Sequence, residues 1–136
     1  MKKLTKEEII LALVVILLII SLGSLKAQTP RQAVKQYRDE CYVRLNEIRA
    51  EHNLQPVKVN HLLEADSNQW LHRMLKRYNG KMRHEYSKGQ SEVIAHCEDP
   101  IDCWMHSPGH KKILLDPSIK EFGLAIVDGY ACMKGK

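Results

Sequence analysis

The chain has 136 residues, enough for one domain with a modest core. Its formal charge is +5, but residues 1–27 hold part of that excess and the remainder carries 17 basic against 14 acidic side chains. That balance predicts no basic patch, and with no run of Lys and Arg interleaved with aromatics it argues against a nucleic-acid partner.

The N-terminus opens on Met1-Lys2-Lys3 with Lys6, followed by an uncharged run from Ile9 to Leu25, 17 residues long. A secretory apolar region is about 7–15 residues and a membrane-spanning helix about 20. The run lies between them. It reads either as a signal peptide, cleaved after Gly23 or Ala27, or as an N-terminal anchor over residues 9–25. Both readings export the rest of the chain, dividing it into a segment 1–27 and a domain 29–136. Four cysteines in an exported chain of this length point to disulfides in an oxidising compartment.

Thr29-Pro30 is a helix start, and Val34, Tyr37, Cys41, Leu45, Ile48 and His52 recur at helical spacing. Asn53-Leu54-Gln55-Pro56 ends that helix. Asn60 caps a second one, carrying Leu63, Ser67, Trp70, Met74 and Tyr78 and stopping at Asn79-Gly80. Residues 83–90 read as loop with room for one helical turn. Ser91–Ala95 is a short strand, and Asp99-Pro100 opens a turn or short helix carrying Trp104. Ser107 and Pro108 start another helix, with His110 in its first turn near the positive end of the dipole, which favours the neutral imidazole. Phe122–Val127 is the clearest strand, and Asp128-Gly129 folds Tyr130–Met133 back on it as a hairpin. The pattern is α+β, with helices packed on a small antiparallel sheet.

Of the seven histidines, His52, His61 and His72 fall on helices and read as surface residues. His84, His96, His106 and His110 gather in the irregular half with Glu85, Glu92, Glu98, Asp99 and Asp102, the side chains of a zinc-type site or an acid–base pair. Cys97 and Cys103 flank a five-residue loop and make the first expected disulfide. A metal site of His96, Cys97, Cys103 and His106 has the right ligand types but the spacing of no common zinc module. Cys41 and Cys132 form the second expected bridge, although four cysteines allow three connectivities. Trp104 is expected to be a core anchor wedged against the second helix.

Several stretches together resemble the bacterial CAP superfamily, the relatives of cysteine-rich secretory proteins, antigen 5 and plant pathogenesis-related proteins. Asn46-Glu47-Ile48-Arg49 followed by Leu54-Gln55-Pro56 is similar to the family's N-x-x-R-x-x-x-x-L-x-P stretch. Ser91-Glu92-Val93-Ile94 keeps the glutamate of G-E-N-I but not its Gly and Asn. Trp104, Ser107, Pro108, Gly109 and His110 match W-x-x-S-P-G-H, and Gly123-Leu124-Ala125 matches the last strand. The resemblance covers residues 31–129 and implies an α-β-α sandwich with a central cleft. It carries His84, Glu92 and His110 into that cleft, with His84 and His110 as ligands for zinc or another divalent cation, weakly held. No position matches the second acid of eukaryotic members.

Three functions follow as expectations. The first is an extracytoplasmic binding module, taking a small ligand, a lipid or a cell-envelope component in the cleft. The second is a metal-dependent hydrolase using the same residues. The third is a structural envelope domain without chemistry. No catalytic residue is assigned.

Overall fold

The computed structural model describes residues 5–23, 28–85 and 89–136. The chain divides into two compact units, Met1–Ala33 and Val34–Lys136. In the first, helix α1 spans Lys6–Gly23. Thr5 and Glu8 form a capping box at its start: the Thr5 N–H donates to the Glu8 carboxylate at 2.8 Å, and the Glu8 N–H to the Thr5 hydroxyl at 3.3 Å. Among the described residues no helix is long and apolar enough to cross a membrane. α1 begins with three charged residues, Lys6-Glu7-Glu8, which shorten its uncharged part. The expected anchor, residues 9–25, runs past Gly23, where the described part of α1 ends. Leu25, and cleavage after Ala27, lie outside the described residues.

Helix α2 runs Pro30–Glu51 and α3 His61–Tyr78, with the two-residue strand β1, Lys58–Val59, between them. The caps of α3 are those the sequence requires. The Asn60 side chain accepts from the Leu62 and Leu63 N–H groups, and Asn79 ends the helix in the left-handed region at φ 50°. Then come β2 (Ser91–His96), α4 (Pro100–Met105), α5 (Pro108–Leu114), β3 (Glu121–Val127) and β4 (Tyr130–Gly135). Asp128 and Gly129 both take positive φ, 49° and 78°, as a two-residue hairpin turn requires, and Val127 pairs with Tyr130 across it.

The sheet order is β1-β3-β4-β2. β3–β4 and β4–β2 are antiparallel as expected, but β1 joins β3 in parallel. Two residues are too short to carry a strand period, so β1 leaves no sequence signal. Side chains alternate between the faces of the sheet. Leu124, Val93 and Met133 pack with Cys41, Tyr42 and Leu45 of α2 and with Ile101, Trp104 and Leu114. Ala125, Ile94 and Cys132 face Trp70, Leu71 and Met74 of α3. The result is the α-β-α sandwich. α3 lies so close to β3 that a Cβ on Gly123 would sit 2.2 Å from Leu63 and Glu64 backbone atoms.

This layering overturns two expectations. Cys41 and Cys132 are both buried free thiols. They belong to opposite faces of the sheet, so the strands themselves stand between them. Trp104 is fully buried, but in the layer of α2 rather than against α3. The Cys97–Cys103 disulfide is present, which removes the alternative metal site using those thiols.

The N-x-x-R stretch has a structural reason. Asn46 clamps Val57, accepting from its N–H at 2.8 Å and donating to its carbonyl at 3.1 Å. Arg49, only 1% exposed, donates to the carbonyls of Gln55 (2.9 Å), Leu114 (2.7 Å), Asp116 (3.2 Å) and Ile119 (3.4 Å). One guanidinium thus ties the loop after α2 to the end of α5 and the loop that follows it.

Candidate functional site

Three segments meet at the outer edge of β2. The first is the stretch after α3. Asn79 and Gly80 turn the chain with positive φ. It is then pinned twice: the Tyr130 hydroxyl donates to the Gly80 carbonyl at 2.9 Å, and the Trp70 indole N–H to the Arg83 carbonyl at 3.1 Å. His84 comes next, partly exposed. The second segment is β2, whose alternation turns Glu92 toward the α3 side with Ile94 and leaves its side chain only 7% exposed. The third is the first turn of α5, which presents His110. Ser107 does occupy the N-cap position there, but its side chain makes no capping hydrogen bond, so Pro108 and the backbone alone start the helix.

His84 Nδ1 lies 2.9 Å from a Glu92 carboxylate oxygen, and the His84 and His110 ring centroids are 6.2 Å apart. The Glu85 N–H donates to both oxygens of Glu92, at 3.1 and 3.3 Å. An ionised carboxylate only accepts, so His84 carries its proton on Nδ1 and keeps the Nε2 lone pair free. Burial pushes the Glu92 carboxyl up, against the opposing pull of the Glu85 N–H, His84 and Lys134. His110 is held below the usual histidine range by burial and then by the repulsion His84 exerts whenever its ring is protonated. The neutral His110 inferred from its helix position is the favoured form, for these two reasons.

His96 and His106 do not join the site. His96 stacks on Tyr130 with centroids 4.0 Å apart, and His106 Nδ1 lies 2.9 Å from the Asp102 carbonyl of its own turn. Asp99 caps α4 and pairs with Arg44, and Asp102 lies 3.6 Å from the same guanidinium. Among the described residues, no three His, Cys, Asp or Glu side chains are placed to hold a metal. Two imidazoles sharing a tetrahedral zinc at about 2.0–2.1 Å would have centroids roughly 5.2 Å apart, so the His84–His110 pair would have to close by about 1 Å to hold one.

Sequence reasoning missed the group beneath Glu92. Lys134 is fully buried; its ammonium is 3.0 Å from Asp66 and 3.9 Å from Glu92, and it hydrogen-bonds Glu85. Arg73 pairs with Glu85 from outside. Burial would lower the Lys134 pKa, but its hydrogen bonds to Glu85 and Asp66 outweigh that and raise it. The chain of contacts is physical: Lys134 holds Glu85, the Glu85 N–H holds Glu92, and Glu92 orients His84. The available signal was strand alternation, since Lys134 lies two residues beyond the inward-facing Cys132.

A model of the cysteine-rich secretory protein (CAP) family matches residues 42–134. The chain belongs to the CAP family. Solved structures agree on the fold. An extracellular SCP-domain protein from Bacillus anthracis superposes with a TM-score of 0.68 at 18% identity, over 81% of this chain and 44% of that one. An outer surface protein from Borrelia burgdorferi gives 0.63 at 18%, over 76% of this chain and 94% of that one. A cysteine-rich secretory protein from Staphylococcus aureus gives 0.59 at 19%, over 80% and 40%. The CAP domain here therefore spans less than half of the first and third of these chains. No curated protein matches it by sequence.

Proposed function

We propose that this CAP domain is an extracytoplasmic binding module whose cleft holds a small polar ligand between His84 and His110. The observation that carries this reading is the pairing of His84: Glu92 takes Nδ1, which leaves Nε2 free on a ring whose centre lies 6.2 Å from that of a second imidazole. Burial of Glu92 makes the orientation firm, and the raised stem of contacts from Lys134 keeps the loop in place. Two neutral imidazoles accept hydrogen bonds from a ligand hydroxyl or ammonium, or share a divalent cation whose remaining positions the ligand fills. With two protein donors such a cation is held weakly. The extracytoplasmic setting is supported by the Cys97–Cys103 disulfide and by the uncharged segment after Ile9. The extracellular and outer-surface neighbours are in keeping with it.

Zinc titration by calorimetry tests the cleft. The wild type is expected to bind weakly, with affinity falling below about pH 6 as the imidazoles protonate. His84→Ala and His110→Ala are each expected to abolish the heat. Equal heats from all three proteins would reject the pair as a ligand site.

A further inference from the structure

The stretch from His72 to His84 holds five of the chain's Lys and Arg residues and no Asp or Glu. Outside it, residues 28–136 carry 12 basic and 14 acidic side chains, so the domain's positive excess is concentrated here. This corrects the expectation of an evenly spread charge. The even total of 17 against 14 conceals the patch because acids elsewhere offset it.

The structure makes the stretch a surface. Arg73, Lys76 and Arg77 lie within one arc of α3 at spacings of three and four, and all are exposed. After the Asn79-Gly80 turn the chain comes back, so that the Arg83 guanidinium lies 5.9 Å from the Tyr78 ring centre while Arg77 lies 6.0 Å from the same ring. Arg73 is paired with Glu85. Among the described residues no carboxylate pairs with Lys76, Arg77, Lys81 or Arg83, and aromatic contact rather than acid holds the two arginines together. At the turn, Met82 stands 50% exposed between Lys81 and Arg83, with Tyr78 36% exposed behind it. An apolar tip flanked by unpaired cations and an interfacial tyrosine is the chemistry of a membrane-surface contact.

We infer that the surface formed by Arg77, Tyr78, Lys81, Met82 and Arg83 docks the domain on an anionic phospholipid bilayer. The cations meet the headgroup phosphates, and Met82 enters the acyl boundary. This brings the adjoining His84 to the lipid surface. The inference does not depend on the cleft binding anything.

The full-length chain is added to vesicles of phosphatidylcholine alone and to vesicles containing phosphatidylglycerol, and the ratio of the two partition coefficients is measured. Attraction through the N-terminal run and its lysines is the same in the wild type and the variants, so it cancels when their ratios are compared. The combined Arg77→Gln, Lys81→Gln, Arg83→Gln variant is expected to lower the ratio on the order of a hundredfold, at about 1 kcal/mol per basic side chain. Raising salt is expected to lower the wild-type ratio toward one. A control with Lys35, Lys58 and Lys120 changed to Gln removes the same charge elsewhere and is expected to keep most of the ratio. Thermal melts verify that each variant folds, and Lys81→Glu alone serves if the triple variant does not. An unchanged ratio in a folded patch variant would overturn the inference, as would an equal loss in the control. Binding of soluble polyphosphate through the same residues, with no preference for phosphatidylglycerol, would also overturn it by making a soluble polyanion the partner.

Discussion

Replacing Lys134 by methionine tests whether the buried lysine supports the site. Methionine keeps most of the stem's volume and removes only the ammonium. Asp66, Glu85 and Glu92, with side chains 33%, 20% and 7% exposed, then lose their common cation. Removing one partner from a buried ion pair costs about 3–5 kcal/mol, because the remaining charge is left without compensation. Asp66 and Glu85 retain some solvent, so the expected loss is at the lower end, about 3 kcal/mol at pH 7. The wild-type contribution of Lys134 is fully present below the ordinary lysine pKa of 10.5 and is lost only as pH rises through its raised value. In the variant Glu92, whose carboxyl burial already pushes up, loses the opposing pull of Lys134 and rises further. The folded variant then takes up protons that the unfolded chain does not, and its deficit shrinks as pH falls from 7 to about 4. Urea unfolding at several pH values reads both effects. A loss below about 1 kcal/mol, or a deficit that does not change with pH, would refute the reasoning.

Other outcomes follow from the same structure. Alkylation of the denatured, unreduced protein is expected to label Cys41 and Cys132 and leave Cys97 and Cys103 blocked; a Cys41–Cys132 peptide would mean the sheet does not separate them. Trp104→Ala, at a fully buried site in the α2 layer, is expected to cost about 3–5 kcal/mol in chemical unfolding. His110 has its pKa lowered on folding, so its contribution to stability is complete above about pH 6.5 and declines as pH falls through that value toward the lowered one. His110→Ala is expected to flatten this part of the stability profile.

Local chemistry was readable wherever a short stretch settles the geometry. Asn60 and Asn79-Gly80 mark both ends of α3, and Asp128-Gly129 sets the β3–β4 register, because caps and tight turns depend on residues a few positions apart. His84, Glu92 and His110 were carried by motif resemblance; nothing local requires them to meet. What escaped was whatever depends on which face of the sheet a residue takes. Cys41 and Cys132 are both apolar-stripe cysteines in sequence, and only the assembled layers separate them. Trp104 was placed against the wrong helix for the same reason. Lys134 lies one residue past the strand read as Tyr130–Met133, so its inward turn onto Asp66 and Glu85 went unread.

The most direct measurement of the cleft is the histidine side-chain nitrogen spectrum across a pH titration, on the wild type and on His84→Ala. In the wild type His84 is expected to be the Nδ1-protonated tautomer, and His110 to titrate below about 6.5. In His84→Ala the His110 midpoint should move up, because one of the two causes holding it down has gone. A His84 protonated on Nε2, together with a His110 titration that ignores the loss of His84, would show that these rings do not share a cleft.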